Sequence, residues 1–531
     1  MCAILLPCPP ARLLKTLMFE KSGNLMTNTA NQPETTHTDV LIIGTGFSGL
    51  GMAVALKRAG KNNFLVLERA QDVGGTWRDN TYPGAACDIQ SHLYSYSFRP
   101  NPNWSRVYAP QPEIHDYLRA TAKDEGIYPH IKFGAQVLDA VWDDGQKAWL
   151  VETTAGDYKT QVLISAAGHL SDPAYPDIKG LSSFKGKVFH SAQWDHSYDT
   201  KGKRIGVIGT GASAIQIVPE LARSASHLSV FQRSAPYVIP RRDHVYSEAE
   251  KRLFACFPDT AQELRDELFW GNESRFPQRR QVPLFLQQIT ATAMNHLRDQ
   301  VPDDALRAKL TPSYAVGCKR ILISNDYYPA LMQPNVSLET SPIVEIDESG
   351  IVLKDGSKVE LDLLVVATGF EATDLPIAEL IQGQQGLRLA EKWKSGGHAY
   401  ACTTVSGFPN FFIMLGPNTG LGAGSMIFMI ETQINYIKEG VDFILSHDSV
   451  VDPDPVAERD YVDTIYRRSA GTVWLEGGCS SWYLHPSSGK LTTLWPDFMT
   501  QFRRENGSFS SKGYRVSSRQ AALRDIVEEK A

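Results

Sequence analysis

Cysteine, net positive charge and long apolar runs are all scarce in this chain of 531 residues. Its seven cysteines are scattered, without a Cys-x-x-Cys pair, which argues against a disulfide framework and a structural zinc site and favours a reduced, cytoplasmic setting. Lysine and arginine number 53 against 59 acidic residues, whereas nucleic-acid-binding proteins usually carry a basic excess. No apolar run reaches the length of about 18 residues that a membrane span needs. We therefore expect no nucleic acid, no membrane and no metal ion among the partners.

The two ends of the chain differ in composition from the rest. Residues 1–37 predict a disordered leader, because prolines interrupt its apolar stretch and its second half is rich in Asn, Thr and Ser. Met1, Met18 and Met26 are alternative start sites. Residues 506–531 form a polar tail that we expect to end in a surface helix.

From residue 39 onward, a strand, a glycine turn, a helix and a second strand follow one another. The apolar run 39–43 predicts a buried parallel strand, and Gly44-Thr-Gly-Phe-Ser-Gly49 follows it. In such a turn the first glycine permits tight curvature, the second lets a pyrophosphate approach the backbone, and the third lets helix and strand pack closely. Glu68 ends the second strand, where an acid can accept hydrogen bonds from a ribose. The predicted dinucleotide site comprises Gly44, Gly46, Phe47, Ser48, Gly49 and Glu68.

A second unit of the same kind occurs farther along the chain. The predicted strand 204–208 leads into Gly209-Thr-Gly-Ala-Ser-Ala214 and a helix. Arg233 takes the position that Glu68 has in the first unit, and an arginine attracts a 2′-phosphate that a carboxylate would repel. We therefore expect this site to prefer NADP(H) to NAD(H); the alternative is a solvated surface arginine at a strand end. The predicted site comprises Gly209, Gly211, Ala212, Ser213, Ala214, Arg233 and Ser234.

Two dinucleotide sites in one chain suggest one tightly held cofactor and one exchangeable cofactor. FAD at the first site and NADPH at the second is the usual pairing in flavoprotein oxidoreductases. Flavoprotein disulfide reductases share this pairing but need two redox cysteines near the flavin. Cys87 is alone in its region, which disfavours that class.

Two longer motifs narrow the class further. They occupy residues 75–88, with the pattern GxWxxxxYPGxxxD, and residues 184–195, with the pattern FxGxxxHxxxWD. Both resemble the fingerprints of the Baeyer–Villiger monooxygenases and match them at every fixed position. The resemblance covers about residues 38–505.

The resemblance implies a fold and a reaction. The fold would be α/β, with two Rossmann-like dinucleotide-binding domains, the NADP domain inserted in the FAD domain, and a helical subdomain. The FAD-binding domain would comprise residues 38–180 and 361–505, the latter including a C-terminal loop. The NADP-binding domain would comprise residues 181–360, with a helical insertion at about 243–310. The enzyme would consume NADPH and dioxygen and convert ketones to esters or lactones through an anionic flavin peroxide.

The resemblance also assigns roles to side chains. Arg320 would be catalytic, stabilising the anionic peroxide, and Asp88 would position it. Lys319 would share the NADP 2′-phosphate with Arg233, and His190 would support domain motion and NADP handling. Without the resemblance, Asp88 and Arg320 would be read as an ordinary structural ion pair. Further cofactor contacts are expected from Gly75, Thr76, Trp77, Tyr82, Asp88, Asn418 and Trp482.

Two later segments would complete the sites. Residues 416–420, which include Asn418, precede a helix from about Ser425 whose N-terminus could face the flavin. The family often has His-Asn where this chain has Ala423-Gly424, a difference that would reshape the substrate pocket. Residues 481–483, which include Trp482, resemble the loop that closes over NADP and substrate.

Two other functions fit part of the sequence. A flavin monooxygenase that oxygenates sulfides or amines shares the cofactors and differs in its product, so the substrate is expected to be a ketone or a sulfide. A catalytically silent nucleotide-binding regulator would need only the two glycine turns. Such a regulator would lack flavin colour or NADPH oxidation.

Overall fold

A computed structural model describes residues 35–519 of the chain. Nearly all of the predicted leader lies outside the described residues, as do the alternative start sites and most of the C-terminal surface helix. The first strand begins at Thr36, so the first domain starts slightly before the predicted boundary at residue 38.

The described residues form twenty strands and fifteen α-helices. The strands are β1 (Thr36–Ile43), β2 (Phe64–Glu68), β3 (Ile131–Phe133), β4 (Val137–Asp143), β5 (Ala148–Thr153), β6 (Gly156–Ser165), β7 (Lys187–His190), β8 (Arg204–Ile208), β9 (His227–Phe231), β10 (Val238–Ile239), β11 (Leu322–Ile323), β12 (Val336–Glu339), β13 (Ile343–Ile346), β14 (Gly350–Leu353), β15 (Lys358–Glu360), β16 (Leu363–Val366), β17 (Ile381–Gln382), β18 (Phe411–Ile413), β19 (Ser449–Pro453) and β20 (Tyr514–Ser518). The helices are α1 (Phe47–Arg58), α2 (Thr76–Asp79), α3 (Gln111–Asp124), α4 (Ala214–Ala222), α5 (Glu248–Cys256), α6 (Pro258–Glu273), α7 (Phe276–Arg279), α8 (Pro283–Gln300), α9 (Asp304–Lys309), α10 (Tyr327–Leu331), α11 (Leu389–Lys392), α12 (Met426–Ser446), α13 (Pro455–Ser469), α14 (Val473–Glu476) and α15 (Met499–Asn506).

The largest sheet is built around β1. Its strand order is β17-β4-β5-β6-β1-β2-β3, and β18 pairs with β6 off this path. Strand β1 runs parallel to both β2 and β6, and its residues Val40 to Ile43 are all buried. A parallel strand covered on both faces needs a continuous apolar run, which explains why the sequence predicted this strand, turn, helix and second strand correctly.

A second sheet, with the order β12-β9-β8-β16-β7, is parallel throughout. The chain leaves the first sheet after β6, builds the second, and returns at β17 and β18. This connectivity confirms the predicted insertion of one α/β domain in another. The predicted boundary at residue 360 is wrong, because Leu363–Val366 (β16) lies inside the second sheet. A buried apolar strand has the same pattern in either sheet, and only its distant partners decide which sheet it joins.

Five helices, α5 to α9, form the predicted helical insertion. Helix α6 is tied to the first domain, since the Arg265 guanidinium donates to the carbonyl oxygens of His92 (2.7 Å) and Ser95 (3.0 Å). Helix α8 is tied to the second domain, since the His296 ring contacts the carbonyl oxygen of Ser324 at 2.8 Å. None of the described helices is long and apolar enough to cross a bilayer.

The predicted polar tail is partly ordered. Strand β20 pairs antiparallel with β19, and the buried Tyr514 hydroxyl hydrogen-bonds the hydroxyls of Thr404 and Tyr436. The pairing with β19 and the buried Tyr514 hold this segment in place, which its largely polar composition did not indicate.

The close contact at Gly49 predicts a measurable loss of stability in Gly49→Ala. A methyl group there would overlap the carbonyl oxygen of Gly44, so the turn or the helix would have to move. We expect the free energy of unfolding in urea to fall by about 1–3 kcal/mol. Gly271→Ala is the control, because Gly271 lies in α6 with open space around the added methyl, and we expect it to gain about 1 kcal/mol. Equal losses at both positions would contradict the packing role.

Candidate active site

The first glycine turn forms a cradle whose backbone leaves no room for a side chain at Gly44 or Gly49. Gly44 has a φ of +103°, and a Cβ there would lie 2.7 Å from the carbonyl oxygen of Ala166. Across the turn, the Cα of Gly75 lies 3.9 Å from the Cβ position of Gly46. Helix α1 starts at Phe47 without a side-chain cap, so its first N–H groups are open to an anion. These features fit the pyrophosphate of a dinucleotide.

Glu68 ends β2 as expected, but its carboxylate already has partners. One oxygen accepts hydrogen bonds from the Thr45 backbone N–H (3.1 Å) and hydroxyl, and the other accepts from the Ala70 N–H (2.9 Å). Arg78 completes the set through an ion pair at 2.9 Å. No sequence pattern indicated Arg78, and the contact of Glu68 with a ribose stays a prediction.

Near its start, the motif at 75–88 contributes Trp77 to an aromatic wall beside this cradle, which Phe47 and Tyr94 complete. Gly75 has a φ of +51°, and the Thr76 that follows it opens helix α2. Trp77 donates its indole N–H to the hydroxyl of Tyr94 at 3.1 Å. The ring of Phe47 meets Tyr94 edge-on at 5.3 Å. These contacts pack the three aromatic side chains against one another. Ser48, in the first turn of α1, is buried as well.

Asp88 and Arg320 form a two-pronged ion pair at the end of the same motif. The Nε and Nη2 of Arg320 each donate to a different oxygen of Asp88 at 2.7 Å. Burial opposes ionisation of Asp88, but the Arg320 charge outweighs it, so the pKa of the carboxyl lies below its ordinary value. The carboxylate in turn raises the pKa of Arg320. The geometry therefore fixes a permanent cation in one orientation.

Gln216, on α4, joins this motif to the second domain. Its side-chain oxygen accepts from the Tyr82 hydroxyl (3.1 Å) and the Ala86 N–H (3.4 Å), and its amide donates to the Ala86 carbonyl (3.0 Å). Burial raises the pKa of Tyr82 to about 12, so its hydroxyl keeps its proton. Gln216 could not be predicted from the sequence, because no motif identifies a glutamine on a helix as a contact between domains.

The second glycine turn repeats the first cradle at the end of β8. Gly209 has a φ of +118°, and a Cβ there would overlap the carbonyl oxygen of Ala367. Gly211 and Ala212 are exposed, with open space at Gly211. Ser213 precedes α4 without capping it, and Ala214 is buried as the first helical residue. The bare helix end again fits a phosphate.

Two cations converge beside this second turn. Lys319 donates to the Ser234 hydroxyl at 2.8 Å and lies over the Tyr314 ring. Burial and the nearby positive charge of Arg233 both lower the pKa of Lys319. Within residues 35–519, no carboxylate comes within ion-pair distance of Lys319 or Arg233. Two unpaired cations next to an open helix end suit a doubly charged phosphate.

The remaining predicted cofactor residues lie in three different environments. His190 is fully buried, its Nδ1 accepts from the Ala192 N–H at 3.1 Å, and burial lowers its pKa. Asn418 donates its amide to the carbonyl oxygens of Leu491 (2.8 Å) and Leu494 (3.0 Å), so this amide holds the C-terminal segment. Trp482 is 45% exposed. The cofactor contacts of His190, Asn418 and Trp482 stay predictions.

Helix α12 begins where the sequence analysis placed it. Its first residue is Met426, and the Ser425 hydroxyl caps it by accepting from the Ile427 N–H at 3.2 Å.

One pair of cysteines corrects the expectation of uniformly reduced thiols. Cys318 and Cys479 form a disulfide with their Cα atoms 6.1 Å apart. They are 161 positions apart in sequence, so only the tertiary fold brings them together. The bond joins the segment just before Lys319 to the C-terminal loop just before Trp482. Cys87 is free and buried.

Two further residues lie close to Arg320. Tyr483 is 3% exposed, and burial raises its pKa while the positive charges of Arg320 and Arg279 oppose that rise. Arg279 is a buried guanidinium, contributed by the helical insertion. Tyr483 belongs to the predicted closing loop 481–483, although only Trp482 of that loop was predicted as a site residue. No local pattern indicated Arg279.

Comparisons with known proteins agree with this arrangement. A family model described as pyridine nucleotide-disulphide oxidoreductase matches residues 41–253, which include both glycine turns. A Baeyer-Villiger monooxygenase from Streptomyces coelicolor is 47% identical over 90% of this chain and 93% of its own length. Another from Pseudomonas aeruginosa is 42% identical over 93% of this chain and 94% of its own. A cyclohexanone monooxygenase structure from a Rhodococcus species, bound to NADP+, superimposes with a TM-score of 0.82 and 26% identity, covering 91% of this chain and 100% of that chain.

The convergence of Arg233 and Lys319 predicts a cofactor-specific effect of Arg233→Ala. Loss of a charge-assisted contact to the 2′-phosphate should raise the KM for NADPH about tenfold or more, while the KM for NADH changes little. Steady-state NADPH and NADH oxidation measures both. Arg223→Ala is the control, because Arg223 is exposed and pairs with Glu220 at the end of α4. An equal rise for both cofactors in Arg233→Ala would reject the phosphate contact.

Proposed function

The chain belongs to the Baeyer–Villiger monooxygenase family, and we propose that it oxygenates a ketone to an ester or lactone, with dioxygen as the oxygen source. It is a flavoprotein monooxygenase that uses FAD and NADPH. The observation that carries the proposal is the ion pair between Asp88 and Arg320. The first glycine cradle would hold FAD, and the second, with Arg233 and Lys319, would hold NADPH.

The cofactors supply the redox chemistry: when bound, NADPH reduces FAD, and reduced FAD activates dioxygen. Attack of an activated oxygen on a carbonyl carbon creates negative charge in the active site. A fixed guanidinium stabilises such charge because it stays protonated and donates in a rigid geometry.

Arg320 is oriented for this task. Asp88 occupies its Nε and Nη2 edge, while Nη1 has no hydrogen-bond partner in the described part of the chain. The open edge can donate to an oxygen that gains charge. Asp88 thus acts as a positioning residue, and it also prevents the guanidinium from turning toward other acceptors.

The C-terminal loop supports the exclusion of water. Tyr483 and Trp474 are buried beside the arginine segment, and the disulfide from Cys479 to Cys318 holds this loop against it. Water must be kept out because an activated oxygen otherwise decays to hydrogen peroxide.

No observation favours the other two functions. Oxygenation of a sulfide or amine would not require a fixed cation beside the reacting oxygen. A silent nucleotide-binding regulator would have no use for the Asp88–Arg320 pair, and the relatives are named monooxygenases. The absence of nucleic-acid and membrane partners and a cytoplasmic location stay predictions.

Arg320→Met tests the proposed role of the cation. We expect flavin reduction by NADPH to continue, while ester formation falls about a hundredfold or more, as for the loss of one oxyanion-stabilising donor. Stopped-flow absorbance measures the reduction, and mass spectrometry identifies the ester.

Arg320→Lys is the companion variant, since it keeps the charge but loses the rigid fork, and we expect an intermediate loss of ester. Ester formation at the normal rate in Arg320→Met would refute the role assigned to Arg320.

A further inference from the structure

The segment that leads to Asp88 packs on the second domain, although its strand-and-turn context belongs to the first. Tyr82 and Ala85 lie in the apolar core that also contains the buried face of α4. Gly84 has a φ of +81°, and a Cβ there would lie 2.7 Å from the backbone oxygen of Gln216. The segment therefore lies directly against α4, and its position depends on the position of that helix.

The side chain of Gln216 supplies the polar part of this contact. Its oxygen accepts from the Tyr82 hydroxyl at 3.1 Å and from the Ala86 N–H at 3.4 Å, and its amide donates to the Ala86 carbonyl at 3.0 Å. Among the described residues, the N–H and carbonyl of Ala86 have no other hydrogen-bond partner. Gln216 thus pairs with this backbone as a neighbouring strand would.

The first domain holds the opposite edge of the same segment. The Cys87 N–H donates to the Ala109 carbonyl at 3.0 Å, and the Gln111 N–H donates to the Ala85 carbonyl at 2.8 Å. The segment therefore lies between the two domains, with backbone partners on one edge and Gln216 on the other.

The Asp88–Arg320 pair is joined to the second glycine turn along two routes. Asp88 follows Ala86 by two residues and binds Arg320 through both of its oxygens. Lys319, the neighbour of Arg320, donates to the Ser234 hydroxyl beside that turn. The carboxylate is thus connected to the turn through α4, and the guanidinium is connected to it through Lys319.

We infer that Gln216 is a positioning residue that couples occupancy of the NADP(H) site to the orientation of Arg320. The inference rests on the proposed function. Helix α4 begins at Ala214 without a side-chain cap, so a phosphate bound there fixes the end of the helix that carries Gln216. Gln216 then fixes the backbone that leads to Asp88, and Asp88 fixes Arg320. Such a coupling is reciprocal, because both sites bias one arrangement of the chain.

Amide hydrogen exchange tests the coupling without any turnover. The Ala86 N–H is the reporter, because its hydrogen bond to Gln216 is the contact in question. Mass spectrometry with fragmentation to single residues measures its exchange in the FAD-loaded protein with and without NADP+. In the wild type, NADP+ should slow this exchange about fivefold or more, the effect of securing one hydrogen bond. In Gln216→Met, NADP+ should still slow exchange in the turn 209–214 but should not change the rate at Ala86.

Two further variants make the exchange experiment specific. Gln262→Met is the matched control, because Gln262 is an exposed glutamine of α6 that donates to Asp266 at 2.8 Å, and it should leave the response of Ala86 to NADP+ unchanged. Tyr82→Phe removes one of the three contacts of Gln216 and should keep part of the response. The inference is overturned if NADP+ has no effect at Ala86 in the wild type, or the same effect in Gln216→Met.

The fate of NADPH is a second readout. If Arg320 is misplaced, the activated oxygen lacks its stabilising cation and decays to hydrogen peroxide. In Gln216→Met, NADPH oxidation should continue, while ester formed per NADPH consumed falls about fivefold or more and hydrogen peroxide makes up the difference. This ratio does not depend on the amount of folded enzyme, and a normal ester yield would contradict the inference. If no ketone yields an ester even in the wild type, the proposed function fails, whereas the exchange at Ala86 still decides the role of Gln216.

Discussion

The ion pair between Asp88 and Arg320 is the contact on which the rest of the site depends. Its residues are 232 positions apart in sequence, so it forms only when the first domain and the segment after the helical insertion fold against each other. The guanidinium offsets the cost of partly burying an ionised carboxylate, since the Asp88 side chain is 27% exposed. The carboxylate in turn fixes one edge of the guanidinium and leaves the other open. The position of the Arg320 charge in the site thus depends on the folding of distant parts of the chain.

The two cofactor sites use one backbone design with opposite side-chain charges. Each has a first glycine, Gly44 or Gly209, that leaves no room for a side chain and a helix end without a side-chain cap, and these features suit any dinucleotide. Beside the first turn lies the carboxylate of Glu68, and beside the second lie the cations Arg233 and Lys319. The backbone therefore binds phosphates in both sites, while the side chains distinguish the cofactors.

Features that depend on short sequence patterns were predictable, whereas contacts between residues far apart in the chain were not. The glycine turns and the strands beside them depend on short patterns, such as Gly44 with its neighbours, and the structure has them where expected. The membership of Leu363–Val366 in the second sheet, the disulfide from Cys318 to Cys479, and the bridge made by Gln216 each depend on a partner far away in the chain. Arg279 shows the same limit, because a buried arginine has no local signature.

The most direct test of the central claim is a crystal structure of the protein with FAD and NADP+ bound. The account predicts that Arg320 keeps Asp88 on its Nε and Nη2 and points its open Nη1 at the flavin ring, within about one hydrogen-bond length of the space where oxygen reacts. A guanidinium turned away from the flavin, or an Asp88 bound to another group in that complex, would contradict it.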